Sequence, residues 1–551
     1  MARSPVLFIP GICGSFNLTV LLDWRAPTLS GWGFPPFIAY GKAFLDAFER
    51  AGYTRDKDLF VAFYDWRKSV KDTASTYLKP WIDRVKQRSG ARRVVLVGHS
   101  MGGLVARSYL QSASYADDVE RLITLGTPHR GAGEAYYSWG SGEPRSDPTV
   151  KAVFEVYLWY LRHAHPFQTE LNKLRTMRTQ VPSIRDLLPI DNYLLNYRGT
   201  SQPRQEELHL ERNLVGDMLN QPASLETLFG RVPVTTIAGT GFATIKTITV
   251  GGPPVPPGNP PRYPDGEPVS EQTVPDGDGT VLTESAALAH PKAENLPPLP
   301  GVAHSALPDH PAVLTRLFGE LGVATPTLGE APVQETQLVV MTASPVTMVV
   351  ETPGGPPIGP AGVLGAVPVE GEVSVRRRRV RARDHGHRGK HLNIAVIPNP
   401  PAGSYRIRLN GTATGTFSIG AMIISAEGVT ILGGGEPVPQ ASATPISTVE
   451  GRVAAGTTLV YEVVVHDSTT PPEVHLDAQA TAADAVAKLR GALAAGSGSL
   501  LGASADPVGD AMGAGDPADQ ADALSLLALR ALGPEDEAMA EALITQLQAL
   551  K

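Results

Sequence analysis

Residues 94–103 read Val94-Val95-Leu96-Val97-Gly98-His99-Ser100-Met101-Gly102-Gly103. Four branched apolar residues have the character of a buried strand, and an apolar helical pattern from Gly102 to Ser112 follows the Gly-x-Ser-x-Gly at once. A serine on so tight a strand-to-helix turn holds its hydroxyl up at the sheet edge. Glycines must flank it because side chains there would strike neighbouring backbone. The competing reading, a Gly-rich turn whose serine merely caps the helix, leaves two suitable partners downstream unexplained. The stretch predicts an α/β-hydrolase fold with Ser100 as nucleophile.

Working outward, Val6 to Ile9, Leu59 to Tyr64, Leu122 to Leu125 and Val234 to Ala238 repeat the apolar character of Val94 to Val97. Phe37 to Ala51 and Thr73 to Ser89 carry helical periods between them. Apolar runs alternating with helices are the pattern of a parallel sheet covered on its faces. The alternation lapses between Ala135 and Arg231, which reads as a helical cap over the sheet. The Pro-rich stretch Pro253 to Pro268 reads as a loop, since proline removes ladder donors.

Past Leu317 the character changes. Thr336 to Val340, Val346 to Glu351, Val373 to Val380, Asn393 to Ile397, Tyr405 to Leu409 and Leu459 to Val465 read as strands, with Asn410-Gly411 as a hairpin turn. The predicted organisation is a catalytic domain over 1–322 with a cap at about 135–231, then a β-sandwich-like domain over 330–470. An Ala/Leu-rich helical tail over 476–551 follows, its last helix opening at Pro534 among acids.

A serine hydroxyl is a poor nucleophile until a histidine takes its proton, and the histidine needs a carboxylate to hold its tautomer. In this fold the partners follow as acid, then base. Asp276-Gly277-Asp278-Gly279-Thr280-Val281 supplies the acid, read as Asp278 rather than Asp276, and His304 supplies the base before a terminal helix. A calcium loop is the rival reading of Asp276 and Asp278, disfavoured by Val281 and Ala287 where that loop needs glycine and glutamate. His310, in Asp309-His310-Pro311 at a helix start, reads as a cap. The tetrahedral intermediate needs two backbone donors. Met101 follows the nucleophile, and Cys13 lies in the glycine-flanked loop Pro10-Gly11-Ile12-Cys13-Gly14.

The Pro10-Gly11-Ile12-Cys13-Gly14 loop, the Tyr64-Asp65-Trp66-Arg67 block, the elbow, the Asp-Gly-Asp-Gly-Thr-Val segment and His304 occur in the order of one known family. The region from Val6 to Leu317 resembles the lecithin:cholesterol acyltransferase family. The resemblance implies transfer of a fatty acyl group from a phospholipid or similar ester to an alcohol or water. A carboxylesterase or thioesterase for small esters, and a non-catalytic β-rich binding or scaffolding protein, stand as the alternatives. Secreted members hold the lid with disulfides, whereas this chain has a single cysteine, so its lid depends on packing.

Composition bounds the rest. A chain of 551 residues exceeds one core, and a formal charge of -7 gives no reason to expect a nucleic-acid partner. One cysteine excludes an intrachain disulfide and suits a reducing, cytoplasmic setting. No apolar run approaches the roughly 20 residues of a membrane span, so lipid contact would be peripheral. The expected partner is a lipid or ester substrate, and the triad requires neither metal nor cofactor. Substrate-pocket candidates are Trp24, Trp32 and Phe34 after the oxyanion loop, and Trp159 and Tyr160 in the cap, with core packing as the rival role. The basic stretch Arg376 to Lys390 reads as a solvated strand face, and Asp384, His385, His387 and His391 have no cysteine or second cluster beside them to complete a metal site.

Overall fold

The computed structural model describes residues 3–17, 20–21, 28–145, 148–164, 173–196, 212–251, 262–343, 345–353, 357–358, 392–429, 438–453, 455–495 and a few positions beyond. Trp24, Val373 to Val380, the basic stretch with its histidines, and the helix expected at Pro534 lie outside the described residues. The chain divides into two units: Met1–Trp159 with Phe167–Gln334 and Ala426–Ser442, and Tyr160–Pro166 with Glu335–Ser425 and Ala443–Lys551.

The first unit is built on six parallel strands: β1 (Val6–Ile9), β2 (Leu59–Val61), β3 (Val94–His99), β4 (Val119–Leu125), β5 (Val234–Ile237) and β6 (Glu294–Asn295). Their order is β6-β5-β4-β3-β1-β2. All of β1 and β3 is buried, as their unbroken apolar runs require of strands covered on both faces. The first three helices between strands are α1 (Lys42–Arg50), α2 (Lys79–Ser89) and α3 (Met101–Leu110), and α2 continues a helical turn and a π turn that begin at Val70. Strand order reverses between β1 and β3, which pair directly, with Ile9 opposite Gly98. A crevice opens at the carboxyl ends of strands at such a switch point. The loop after β1 and the elbow after β3 meet there.

Helices α4 (Glu134–Ser141) and α5 (Pro148–Ala164), with Lys173–Gln180 and Leu214–Leu219, fill the segment expected to form a helical cap. Thr244–Val250 and Pro268–Val274 pair antiparallel, so the second strand begins at the last residue of the Pro-rich stretch, of which residues 253–261 lie outside the described residues. Pro268 stands at that strand's first position, where a missing donor is tolerated.

The second unit holds β7 (Gln337–Ala343), β8 (Val346–Glu351), β9 (Leu392–Pro398), β10 (Gly403–Gly411), β11 (Gly415–Val429), β12 (Ser447–Val453), β13 (Thr458–Val465) and β14 (Glu473–Leu476). One antiparallel sheet pairs β7 with β9 and β11, and β11 with β12. Another pairs β10 with β8 and β13, and β13 with β14. Alternate residues of both sheets, among them Val340, Met348, Ile407, Ile419 and Val463, share one core. Asn410-Gly411 is not a hairpin turn. Asn410 lies in register with Thr347 and Thr458, and the chain leaves β10 for the other sheet, with Thr412 N donating to Pro345 O at 2.7 Å. Two ladder partners outweigh the turn preference of the dipeptide.

Asp309 ties the last helix of the first unit, Pro311–Glu320, to α1. Its carboxylate accepts from Gly41 N at 2.6 Å and Phe44 N at 2.9 Å, satisfying the first amides of α1. Burial pushes its pKa up to about 6, against the pull of those backbone donors. A carboxyl raised in the folded state binds its proton better there than in the unfolded chain. Its contribution to stability is therefore full below the usual carboxylate range and declines as pH rises through about 6. Asp309→Ala should cost about 1–3 kcal/mol by orphaning buried amides. Against Asp309→Asn, wild type should gain in relative stability as pH falls from 7 to 4, read from urea midpoints; a difference flat with pH would refute the assignment.

Candidate active site

The elbow is a steric construction. Ser100 adopts φ 53° and ψ −127°, a region that costs a non-glycine residue about 1–3 kcal/mol. The surroundings hold it there. A Cβ at Gly102 would lie 2.2 Å from Ile9 O, and one at Gly103 would lie 2.0 Å from Thr127 Oγ1. The Ser100 amide donates to Leu125 O at 2.9 Å, which anchors the turn to β4. Met101 begins α3, so its N–H has no intrahelical acceptor.

Three sequence-predicted residues come together. His304 Nε2 lies 2.9 Å from Ser100 Oγ, and His304 Nδ1 lies 2.8 Å from Asp278 Oδ2. Asp278 is 1% exposed, and its other oxygen accepts from Val281 N at 2.7 Å and Thr280 N at 3.1 Å. Those donors leave Oδ2 for the imidazole. The His304 amide also donates to Asp278 O at 2.9 Å, so acid and base loops are joined by backbone as well as side chain. Asp276 is exposed and accepts from the Thr283 hydroxyl. His310 caps its helix, Nδ1 accepting from Ala312 N at 3.2 Å.

Cys13 adopts φ 62° in the loop after β1, beside Ser100 in the same cleft. Its thiol is buried, and burial pushes its pKa well up, so the sulfur stays protonated and apolar. Gly11 lies against the elbow, for a Cβ there would meet Ser100 Cβ at 2.9 Å. The loop that carries Cys13 thus borders the same cleft as Ser100, and Met101 follows Ser100 at the start of α3.

Two clefts reach Ser100 and His304. One, of about 340 Å³, is lined by Gly11, Ile12, Cys13, Gly14, Ile38 and Tyr40. The other, of about 490 Å³, is lined by Pro128, Ala132, Ala135, Ile184, Leu187 and Val281. Val150 of α5 borders both.

Of the pocket aromatics expected from the sequence, the four described ones, Trp32, Phe34, Trp159 and Tyr160, do not line these two clefts. Trp32 donates to Thr28 O at 2.8 Å and packs edge-on against Tyr77. Phe34 packs against Tyr40 and Phe63. Trp159 is buried in α5, and the Tyr160 hydroxyl donates to Asn393 O at 2.8 Å. They are packing residues because aromatic bulk is used here to fill layers behind the crevice. Aliphatic side chains make up much of the wall of both clefts, together with Tyr40 and His99 in the first and Glu134, Ser138 and Thr280 in the second. Among the described residues no group of three or more His, Cys, Asp or Glu could hold a metal ion.

His99 and Tyr40 were not singled out by sequence reasoning, yet both line the first cleft. The Tyr40 hydroxyl lies 2.7 Å from His99 Nδ1, and His99 Nε2 lies 3.0 Å from His304 O. His99 stood inside the elbow motif and offered a signal; Tyr40 offered none.

Residues 39–154 match the family model for lecithin:cholesterol acyltransferase. A phospholipase A(1) of Arabidopsis thaliana is 37% identical over 84 residues, 15% of this chain and 19% of that protein. A human lysosomal phospholipase A and acyltransferase is 28% identical over 147 residues, 26% of this chain and 33% of that protein. An Arabidopsis thaliana lecithin-cholesterol acyltransferase-like protein is 22% identical over 289 residues, 50% of this chain and 63% of that protein. The chain thus spans under two thirds of the length of each. A solved Bacillus licheniformis lipase in propeptide form covers 86% of this chain and 96% of its own, at 14% identity and a TM-score of 0.31. The chain is thus similar to the lecithin:cholesterol acyltransferase family over residues 39–154, the stretch that contains the elbow.

Proposed function

We propose that the protein is a serine-dependent lipid acyl hydrolase or O-acyltransferase. The observation that carries this reading is the bridge His304 makes between Ser100 and Asp278 at the point where two apolar-walled clefts meet. His304 Nε2 takes the Ser100 proton as Oγ adds to the ester carbonyl. The Cys13 and Met101 amides receive the oxyanion. The imidazolium, held by Asp278, gives its proton to the leaving alcohol and leaves an acyl group on Ser100. Water or a second alcohol then attacks that acyl-enzyme, with His304 again as base.

The substrate is assigned as a phospholipid or related lipid ester. Its acyl chain is assigned to the second cleft, where Ala132, Ala135, Ile184, Leu187 and Val281 supply apolar wall beside the polar side chains of Glu134, Ser138 and Thr280. Relatives that cleave or transfer acyl groups from phospholipids, by their names, support that class. Catalysis is assigned to residues 1–322, with the β-rich and Ala/Leu-rich regions as appended domains. A cytoplasmic setting with peripheral lipid contact is proposed from the single cysteine. Among the described residues no helix is long and apolar enough to cross a membrane.

Ser100→Ala and His304→Ala should each lower ester cleavage by roughly 10³-fold or more while leaving the fold intact, because the three residues act as a unit. Asp278→Asn should lose roughly 10⁴-fold, and Asp276→Asn should stay near wild type. Near-wild-type turnover in folded Ser100→Ala would end the proposal.

Each methylene buried contributes about 0.8 kcal/mol, or roughly fourfold in kcat/KM. In a series of p-nitrophenyl esters the rate should therefore climb with chain length. Ala135→Phe, which fills the second cleft, should flatten that climb without lowering acetate cleavage. A preference for acetate in wild type, unchanged by Ala135→Phe, would point to a small-ester hydrolase instead.

A further inference from the structure

Ser100, His304 and Asp278 leave one polar cluster beside them unused. Tyr40, 6% exposed, and His99, 3% exposed, sit between the loop after β1 and the base. Gly11 N donates to Tyr40 Oη at 3.1 Å. Tyr40 Oη lies 2.7 Å from His99 Nδ1, and His99 Nε2 lies 3.0 Å from the carbonyl of His304. The two imidazoles are 5.0 Å apart between centroids.

The proton positions along this chain follow from its two ends. His304 O can only accept, so His99 carries its proton on Nε2. Nδ1 is then an acceptor, and the Tyr40 hydroxyl donates to it. Tyr40 Oη retains a lone pair for the Gly11 amide. Every hydrogen bond runs in one direction: Gly11 N–H to Tyr40, Tyr40 O–H to His99, His99 Nε2–H to His304 O. Burial supports this state, since it holds the His99 pKa well below the usual imidazole range, with His304 adding to the effect. It also holds the Tyr40 phenol protonated.

We infer that Tyr40 and His99 are positioning residues that lock the oxyanion loop and the catalytic base to one another through a single buried hydrogen-bond chain. Gly11 opens the loop that carries Cys13, and His304 O belongs to the residue whose ring must face Ser100. His99 immediately precedes Ser100, so the chain crosses the elbow itself. Sub-ångström errors in the loop amide or the imidazole weaken transition-state contacts more than substrate contacts. The effect of breaking the chain should therefore fall on kcat.

The inference rests on the proposed role of Ser100, so Ser100→Ala is assayed in parallel on a long-chain p-nitrophenyl ester. Tyr40→Phe removes the donor to His99 and the acceptor for Gly11 while keeping the ring. His99→Phe removes the donor to His304, and His99→Gln restores an N–H near the position of Nε2. Tyr40→Phe and His99→Phe should lower kcat at least tenfold with KM within twofold of wild type and thermal midpoints within a few degrees. His99→Gln should recover most of the loss. If His99→Phe does not fold, Tyr40→Phe and His99→Gln carry the test. Wild-type kcat in folded Tyr40→Phe, a loss confined to KM, or a His99→Gln variant as slow as His99→Phe overturns the inference. Activity surviving in Ser100→Ala would instead overturn the proposed chemistry beneath it.

Discussion

Close backbone packing around Ser100 is the constraint on which the site depends. The left-handed φ of 53° turns the chain from β3 into α3 within one residue. It persists because Gly102 and Gly103 let α3 sit directly against Ile9 and Thr127. Wherever the helix moved outward, the serine could relax into an ordinary conformation and its hydroxyl would leave the imidazole. The strain is thus offset by packing of β1, β3 and β4, whose buried apolar residues make the sheet too rigid to yield.

That rigidity gives the parallel sheet its second role. Ser100, Asp278 and His304 lie on three separate loops, with Ser100 and His304 204 positions apart in the sequence. Strand order brings the loops to one edge, because the switch between β1 and β3 opens the crevice and β4 and β5 continue it on one side. Ser100 follows β3 directly. Asp278 is fixed by the bridge of its strand to Phe242 and by Val281 in a small core with Ala132, Ala238 and Ala286. His304 is fixed by its amide on Asp278. Each loop is therefore placed by a neighbour already placed by the sheet.

Legibility in the sequence followed the range of the interactions. The elbow, the five long parallel strands and the choice of Asp278 over Asp276 were readable because steric demand, apolar runs and turn glycines are local. Thr244–Val250 and Pro268–Val274 were not, since their mixed polar residues show no apolar run. β11 was missed because Gly420, Ala421 and Ser425 dilute its pattern, and β12 because it alternates charged and polar residues such as Glu450 and Arg452. Asn410-Gly411 misled because turn propensity is local whereas its two ladder partners, Thr347 and Thr458, are remote in sequence. Aromatic residues misled for a similar reason: composition marks bulk, and the face on which bulk is used depends on the whole layer.

The crevice shows how far the two kinds of force divide the labour. Much of its wall is aliphatic and without direction. The polar groups of Ser100, His304 and Asp278, by contrast, are buried and hydrogen-bonded. Asp278 Oδ1 is taken by two amides, Oδ2 by His304, and the far end of His304 by Ser100. In a site so little exposed, water competes poorly for these groups and each hydrogen bond acts at lower effective dielectric than at the surface. Directional bonding thus fixes Ser100, His304 and Asp278 relative to one another.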